Sequence, residues 1–360
     1  MRRYIVMVVV VLCSCSGLLT AQTKVVKRTA VKANDYGVAY ALPKTNLIVS
    51  TEVIRTVQKR GEFYSYAGKY LGVKTVATED RTWYQLGNTT LNNVGVVDED
   101  ARYVISFKAK TTAPYAFLTE EGLLCTINAP HTPKASSDSD SDATKAAPKK
   151  TSSASVFSEE LLMAGSMAKQ AEVAAKQIYR IRESKLNILT GEADNLPPDG
   201  QAMKIVIDEL EAQERTLTAL FLGTTVSDTT YYDVAIEPTE EFERKVLFRF
   251  SRHLGVVDAD DLSGAPIYAS LVCTERPEPI ADEKERAKRE KMSRDGIVYN
   301  HPGRGRLTLE LNGRTILEQE SAVTQFGVKE LLAPVLFEDR DAPVKVFFYP
   351  ETGAIKQIIQ

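Results

Sequence analysis

The chain has 360 residues, 43% hydrophobic and 26% charged, enough for two or three domains of ordinary globular composition. Its formal net charge is −3, and every basic run is broken by acids. That balance excludes a global electrostatic reason to bind nucleic acid.

In chain order, the first feature is an address. Met1-Arg2-Arg3 is a short positive region, and the nine-residue run YIVMVVVVL that follows is too short to span a bilayer. CSCSGLLTAQ comes next, which completes the layout of a secretory signal peptide over residues 1–21. The expectation is an exported protein with no membrane-spanning segment in the mature chain. Two endings compete. Ala21 before Gln22 suits ordinary cleavage and a soluble product. Leu12-Cys13-Ser14-Cys15 resembles a lipobox, which would leave a lipid on Cys15 and anchor the chain to a membrane leaflet. Cysteine at position 13 is unusual there, so the soluble form is favoured.

Ordinary cleavage leaves only Cys125 and Cys273, each in an apolar, strand-like stretch. In an oxidising compartment they can pair as a disulfide. The favoured alternative is two buried thiols behaving as small hydrophobes.

Residues 22–130 form the predicted β-rich N-terminal domain. In TNLIVSTEVIRTV, Leu47, Val49, Thr51, Val53, Arg55 and Val57 alternate onto one side, the period of a strand with one buried face. EFYSYAGKYLG places Phe63, Ala67, Tyr70 and Leu71 at helical spacing and stops at Gly72, which predicts a short helix. Strands resume around TWYQLG, VGVV and RYVISFKAK. Residues 131–155 contain no large apolar side chain, so they cannot bury enough surface to offset their ordering entropy. A disordered Ser/Asp/Lys linker is expected there.

A helical hairpin is predicted over 156–224. Met167, Ala171, Ala174, Ile178 and Ile181 recur at three- and four-residue steps behind a capping Ser166. Met203, Val206, Leu210, Leu217 and Leu220 do the same in a second helix. The connection LTGEADNLPPDGQAM gathers Glu192, Asp194 and Asp199 between glycines and prolines. Gly191 suits a helix stop, Asn195 or Asp199 a helix start, and Pro197-Pro198 the residues where no N–H is needed. The ligand spacing of an EF-hand is missing, so capping is preferred to cation binding.

Residues 225–360 form the predicted β-rich C-terminal domain, with strands at TYYDVAIEP, RKVLFRFS and PIYASLVCTE. IADEKERAKREKMSRD is nearly all charged, with opposite charges at i,i+4, and reads as an exposed helix or arm. Asn312-Gly313 predicts a two-residue hairpin turn. A second hairpin turns at Glu351–Gly353.

Candidate chemistry is sparse. GVVDEDA (95–101) and GVVDADD (255–261) echo one another. Asp98, Asp100, Asp258 and Asp260 are therefore weak calcium candidates, but Asp side chains also bond their own backbone in turns, and that reading is preferred. His131, His253 and His301 are few for an enzyme of this size. His301, with Arg304 and Arg306, reads as a basic turn that can meet a phosphate or carboxylate. No nucleophile elbow, zinc motif or phosphate-binding glycine loop is present, so no catalytic residue and no cofactor is assigned. Acids are plentiful, yet nothing singles out a glycosidase pair. Tyr64, Tyr66, Tyr70, Trp83, Tyr84, Tyr103 and Tyr115 are either core rings or a platform for sugars.

The stretches YALPKTNLIVSTEV, LTGEADNLPPDGQAMKIVIDELEAQERTLTALFLG, LFRFSRHLGVVDADDLSG and TQFGVKELLAPVLF with TGAIKQI resemble a family of uncharacterised exported proteins of Bacteroidota, known only as a domain of unknown function. The resemblance covers roughly 36–360 apart from 131–155, and its most specific part is the helical stretch. It implies an envelope protein, in the periplasm or associated with an outer membrane, and carries over no activity and no site residue. The sequence thus predicts an α+β protein in which β-rich N-terminal and C-terminal units flank a long antiparallel helical hairpin. A non-enzymatic binding or scaffold module for another envelope protein is the leading functional expectation. A carbohydrate-binding or carbohydrate-acting protein is the alternative.

Overall fold

The computed structural model describes residues 24–27, 37–106, 115–130, 157–193, 199–278, 296–337 and 344–359, together with Lys284 and Ala287. The predicted signal peptide with Cys15, the linker 131–155, Asp194 and most of the charged run 280–295 lie outside the described residues. Within them the fold is mixed and strand-rich.

Three sheets carry it. The first has the order β1-β3-β2-β6, formed by Lys24–Lys27, Arg81–Ser106, Gly37–Lys59 and Thr224–Ile236. The second has the order β11-β10-β9-β7-β8, formed by Arg314–Leu332, Ile297–Leu311, Ala265–Glu275, Phe242–Ser251 and Gly255–Val257. The third has the order β13-β12-β5-β4, formed by Ile355–Ile359, Lys345–Phe348, Leu124–Ile127 and Ala116–Leu118. Every ladder inside them is antiparallel. Two of the sheets draw strands from both sides of the helices: β6 pairs with β2, and β12 with β5.

β2 runs for 23 residues and serves two apolar clusters in turn, and the residues just past it serve a third. Tyr40 and Leu42 join the cluster of Ile105, Ile127, Ile297 and Val346. Leu47, Val49 and Val53 join Phe248, Ile267, Leu271 and Leu307 between the first two sheets. Beyond its end, Phe63 and Ala67 pack with Ile178, Leu217 and Phe221 of the helices. The predicted alternation is present from Thr45 to Val53. It then changes phase, with Arg55 turned outward and Thr56 buried against Ser227 at 3.0 Å. The three strand-like runs expected over 81–106 are one 26-residue strand. They looked separate because β3 bulges against β2 twice, at Gly87-Asn88 and at Asp98–Ala101.

The expected short helix is a 3-10 turn, Tyr64–Tyr66, followed by α1, Ala67–Tyr70; Leu71 caps it and Gly72 follows at φ +69. After α2 (Glu159–Met163) come two long helices, α3 (Met167–Thr190) and α4 (Gly200–Leu222). Ser166 accepts from the Lys169 N–H, Gly191 ends α3 at φ 77, and Asp199 accepts from the Ala202 N–H at 2.7 Å. Each cap satisfies backbone groups that a helix end leaves unpaired. Arg182 meets Glu214 at 2.7 Å and Lys185 meets Glu211 at 3.3 Å, so rising numbers on α3 face falling numbers on α4. The helices dock on β2's far end through backbone, because the Phe63 N–H donates to the Leu220 carbonyl at 2.6 Å. Gly61 permits this approach: a Cβ there would sit 2.5 Å from that same oxygen.

Candidate functional site

The weak calcium candidates separate in space. Asp98 lies in the second bulge of β3, 8% exposed. Its carboxylate meets the Lys44 ammonium at 3.5 Å and the Lys329 ammonium at 3.6 Å, and accepts from the Asp100 N–H at 3.1 Å. Two cations therefore occupy the space a calcium ion would need. Asp258 and Asp260 are exposed beside a turn in which the Asp261 carboxylate accepts from the Ser263 N–H at 2.9 Å. That bond holds Asp261 below the usual carboxylate range. Among the described residues no three His, Cys, Asp or Glu side chains gather as a metal site. The echoed heptapeptides have unlike structures, a bulge inside β3 and a strand end with its turn.

The polar junction around Asp98 is extensive. β11 bulges over Thr324–Gly327 against β10, opposite the bulge of β3. Gln325 donates to the Thr45 carbonyl at 2.9 Å, and Thr324 bonds both the N–H and the hydroxyl of Thr45. Buried Asn300 donates to the Pro43 and Thr352 carbonyls, each at 2.9 Å. The Asn300 and Gln325 amides and the Thr45 and Thr324 hydroxyls are already bonded to protein groups. The small cavity between these groups, about 230 Å³, is thus a seam joining the sheets.

Among the described residues Cys125, which is buried, and Cys273, which is half-buried, carry free thiols. Cys125 is on β5 of the third sheet and Cys273 on β9 of the second, and no disulfide joins them in the structure. Burial pushes the Cys125 thiol up, with the charge of Glu351 adding to it, which makes it a poor nucleophile. The basic turn at His301 is corrected. His301, Arg304 and Arg306 lie within β10, where Arg304 holds Glu275 at 3.4 Å and Arg306 holds Glu320 at 2.8 Å. No open anion site remains there. The tyrosines do not form one platform. Tyr103 packs in the cluster around Ile127, Tyr66 and Tyr70 in the helical cluster, and Tyr84 against the core between the first two sheets.

Two exposed features remain. The first is the end of the helical pair where α3 and α4 connect. The last buried residue of α3 is Ile181, and α4 buries only Leu217 and Phe221. Past Ile181 α3 runs on for nine residues, and α4 has ten residues before Leu210, its first side chain packed on the helical cluster; these extensions are roughly 13 Å and 15 Å long. Leu186 (59% exposed), Leu189 (67%) and Ile205 (64%) lie on those extensions.

The second is a cleft of about 820 Å³ between the first two sheets. β3 supplies Tyr84, Leu86 and Gly87, β7 supplies Phe250, the turn after β7 supplies Arg252, and the β10–β11 hairpin supplies Leu311, Asn312, Arg314 and Ile316. The predicted Asn312-Gly313 turn is present, with φ 51 and 74. Sequence reading missed this cleft because its two arginines, one in the turn after β7 and one at the start of β11, have no shared spacing.

A family model described as "Domain of unknown function (DUF4831)" matches residues 36–356. No curated protein and no solved structure matches the chain.

Proposed function

We propose, from the premise that this chain belongs to that family of unknown function, that it is a non-enzymatic cell-envelope protein that binds or scaffolds another envelope protein. In this reading the first 21 residues direct export and are removed, with acylation of Cys15 as the minority ending. α3 and α4 act as a long antiparallel hairpin between β-rich units, and its free end is the docking surface. The observation that carries the proposal is the exposure of Leu186, Leu189 and Ile205 beyond the last buried helical residues. Leaving three large aliphatic side chains in water forfeits about 1.5–3 kcal/mol apiece relative to burial. A stiff projecting element with an apolar end fits a groove on a protein partner. No helix among the described residues is long and apolar enough to cross a membrane.

The test is a photo-crosslinking residue placed at Ile205 in the native host, with a control at exposed Lys74. One discrete protein adduct at 205 and none at 74 is expected. Identical adduct patterns at the two positions would refute the docking surface. Fractionation of the same cells reports the compartment, and recovery with cytoplasmic markers would refute the envelope assignment. The carbohydrate alternative draws on one exposed ring pair, Tyr115 and Phe117, whose centroids are 5.6 Å apart. Saturable binding on a glycan array, lost on Tyr115→Ala, would favour it instead.

A further inference from the structure

We propose that the cleft between the first two sheets binds an amphipathic organic anion, with an apolar or aromatic body and a carboxylate or phosphate head. The cleft takes no lining residue from α3 or α4 and does not depend on the docking role proposed for them. Its charge is one-sided: the lining contains Arg252 and Arg314 and no acid, in a chain with more acids than bases. Neither guanidinium has a carboxylate partner among the described residues, whereas Arg244, Arg304 and Arg306 on the same sheet are each held by one. Unpaired guanidinium groups at an apolar opening suit a planar or tetrahedral oxyanion, which they meet with paired N–H donors.

The apolar part is equally defined. Tyr84, Leu86, Leu311 and Ile316 pack on the central core from the side that faces the cleft, and Phe250 lies at their base. Tyr84 is fixed in place. Its N–H donates to the Arg252 carbonyl at 2.8 Å, which couples the aromatic wall to the turn that bears one arginine. Its ring lies against Gly255, where a Cβ would be 3.1 Å from the ring edge and where φ is +83. A glycine is therefore needed for the ring's position as well as for the backbone. The Tyr84 hydroxyl makes no hydrogen bond among the described residues, so it is free to donate to a ligand. The volume is that of a small-molecule site, and its lining is amphipathic, with Gln85, Thr89, Ser251, Ser263 and Asn312 beside the arginines and the apolar wall.

The experiment uses the whole chain and the fluorescent anion 8-anilinonaphthalene-1-sulfonate. Saturable binding is expected, displaced by laurate or by dodecyl phosphate and not by neutral dodecanol. The better displacer identifies the head group as carboxylate or phosphate. Arg252→Gln and Arg314→Gln should each weaken the dye about tenfold, the worth of one charge-assisted hydrogen bond, with melting temperature unchanged. The Leu189→Asp/Ile205→Asp variant removes the apolar helix ends and should bind the dye as the parent does. Loss of binding in that variant, equal displacement by dodecanol, or undiminished affinity in both arginine variants would overturn the assignment. Tyr84→Phe keeps the ring and removes the hydroxyl. It should cost affinity for the anions without changing the fold, and it covers the case in which an arginine variant fails to fold.

Discussion

The Tyr40 hydroxyl and the backbone of Val298 bond each other twice, O–H to carbonyl and N–H to hydroxyl, both at 3.0 Å. The two residues are 258 positions apart. β9 pairs with β10 only from Arg304 onward, so Val298 has no strand on that side. One phenol stands in for it, tying the first sheet to the second. Burial pushes the phenol's pKa well up, so it stays protonated and able to donate.

Tyr40→Phe should therefore destabilise the protein by about 1–3 kcal/mol, because a buried donor and a buried acceptor lose their partner while packing is conserved. Urea unfolding measures this. An unchanged midpoint would mean that water replaces the hydroxyl.

Asp98 is expected to be a counter-ion for Lys44 and Lys329 and to take no metal. Melting temperature should be the same in millimolar calcium chloride and in EDTA, since a ligand of the native state must raise it. Asp98→Asn should cost about 1 kcal/mol, kept small by the half-exposed ammonium groups. A calcium-dependent rise in melting temperature, abolished in Asp98→Asn, would reverse the assignment.

The connection between α3 and α4 gives a third expectation. Asp199→Ala removes a helix cap and should cost about 1 kcal/mol. Gly191→Ala forces a side chain into the left-handed region and should cost a similar ~1 kcal/mol. Amide exchange should quicken in the first turn of α4 for the former and the last turn of α3 for the latter. A uniform response across both helices would refute such local roles.

The pairing of α3 with α4 should fail in acid. Partial burial works against ionisation of Glu214, but hydrogen bonds from Arg182 and Lys185 outweigh it and hold the carboxyl below its ordinary range. A depressed carboxyl stabilises the fold fully above the unfolded value, about 4.3 for Glu, and loses that contribution as pH falls through the lower folded value. Exchange protection in α3 and α4 should thus hold from neutral pH to about 5 and decline below about 4.3. Glu214→Gln should flatten this dependence. A decline already complete above pH 5 would exclude Glu214 as its source.

Much of the local structure was legible in the sequence. Period-two alternation located the middle of β2, and Ser166, Gly191 and Asp199 marked helix ends because capping chemistry is read from a few neighbouring residues. Asn312-Gly313 marked its hairpin for the same reason. What escaped was non-local. The bulges at Gly87 and Asp98 broke one long strand into three apparent ones, and nothing near Thr224–Ile236 announces that it pairs with β2. Asp98 looked like half of a ligand pair because its lysine partners lie 54 positions before and 231 positions after it in the chain. Met167 and Val206 fit the apolar stripes yet are exposed, because a stripe does not reveal how far the docking surface reaches along a helix.

The course of β2 through two clusters bears on how the chain matures. Synthesis delivers β2 and β3 early, whereas β6 and Val298, which complete β2's other side, arrive much later. Until then a strand of 23 residues waits with a bare edge, open to pairing with a neighbouring chain. Closing loops of this span is slow, so folding speed should be set by the arrival and search of the C-terminal strands. A fragment that stops before residue 224 would keep that vulnerable edge permanently.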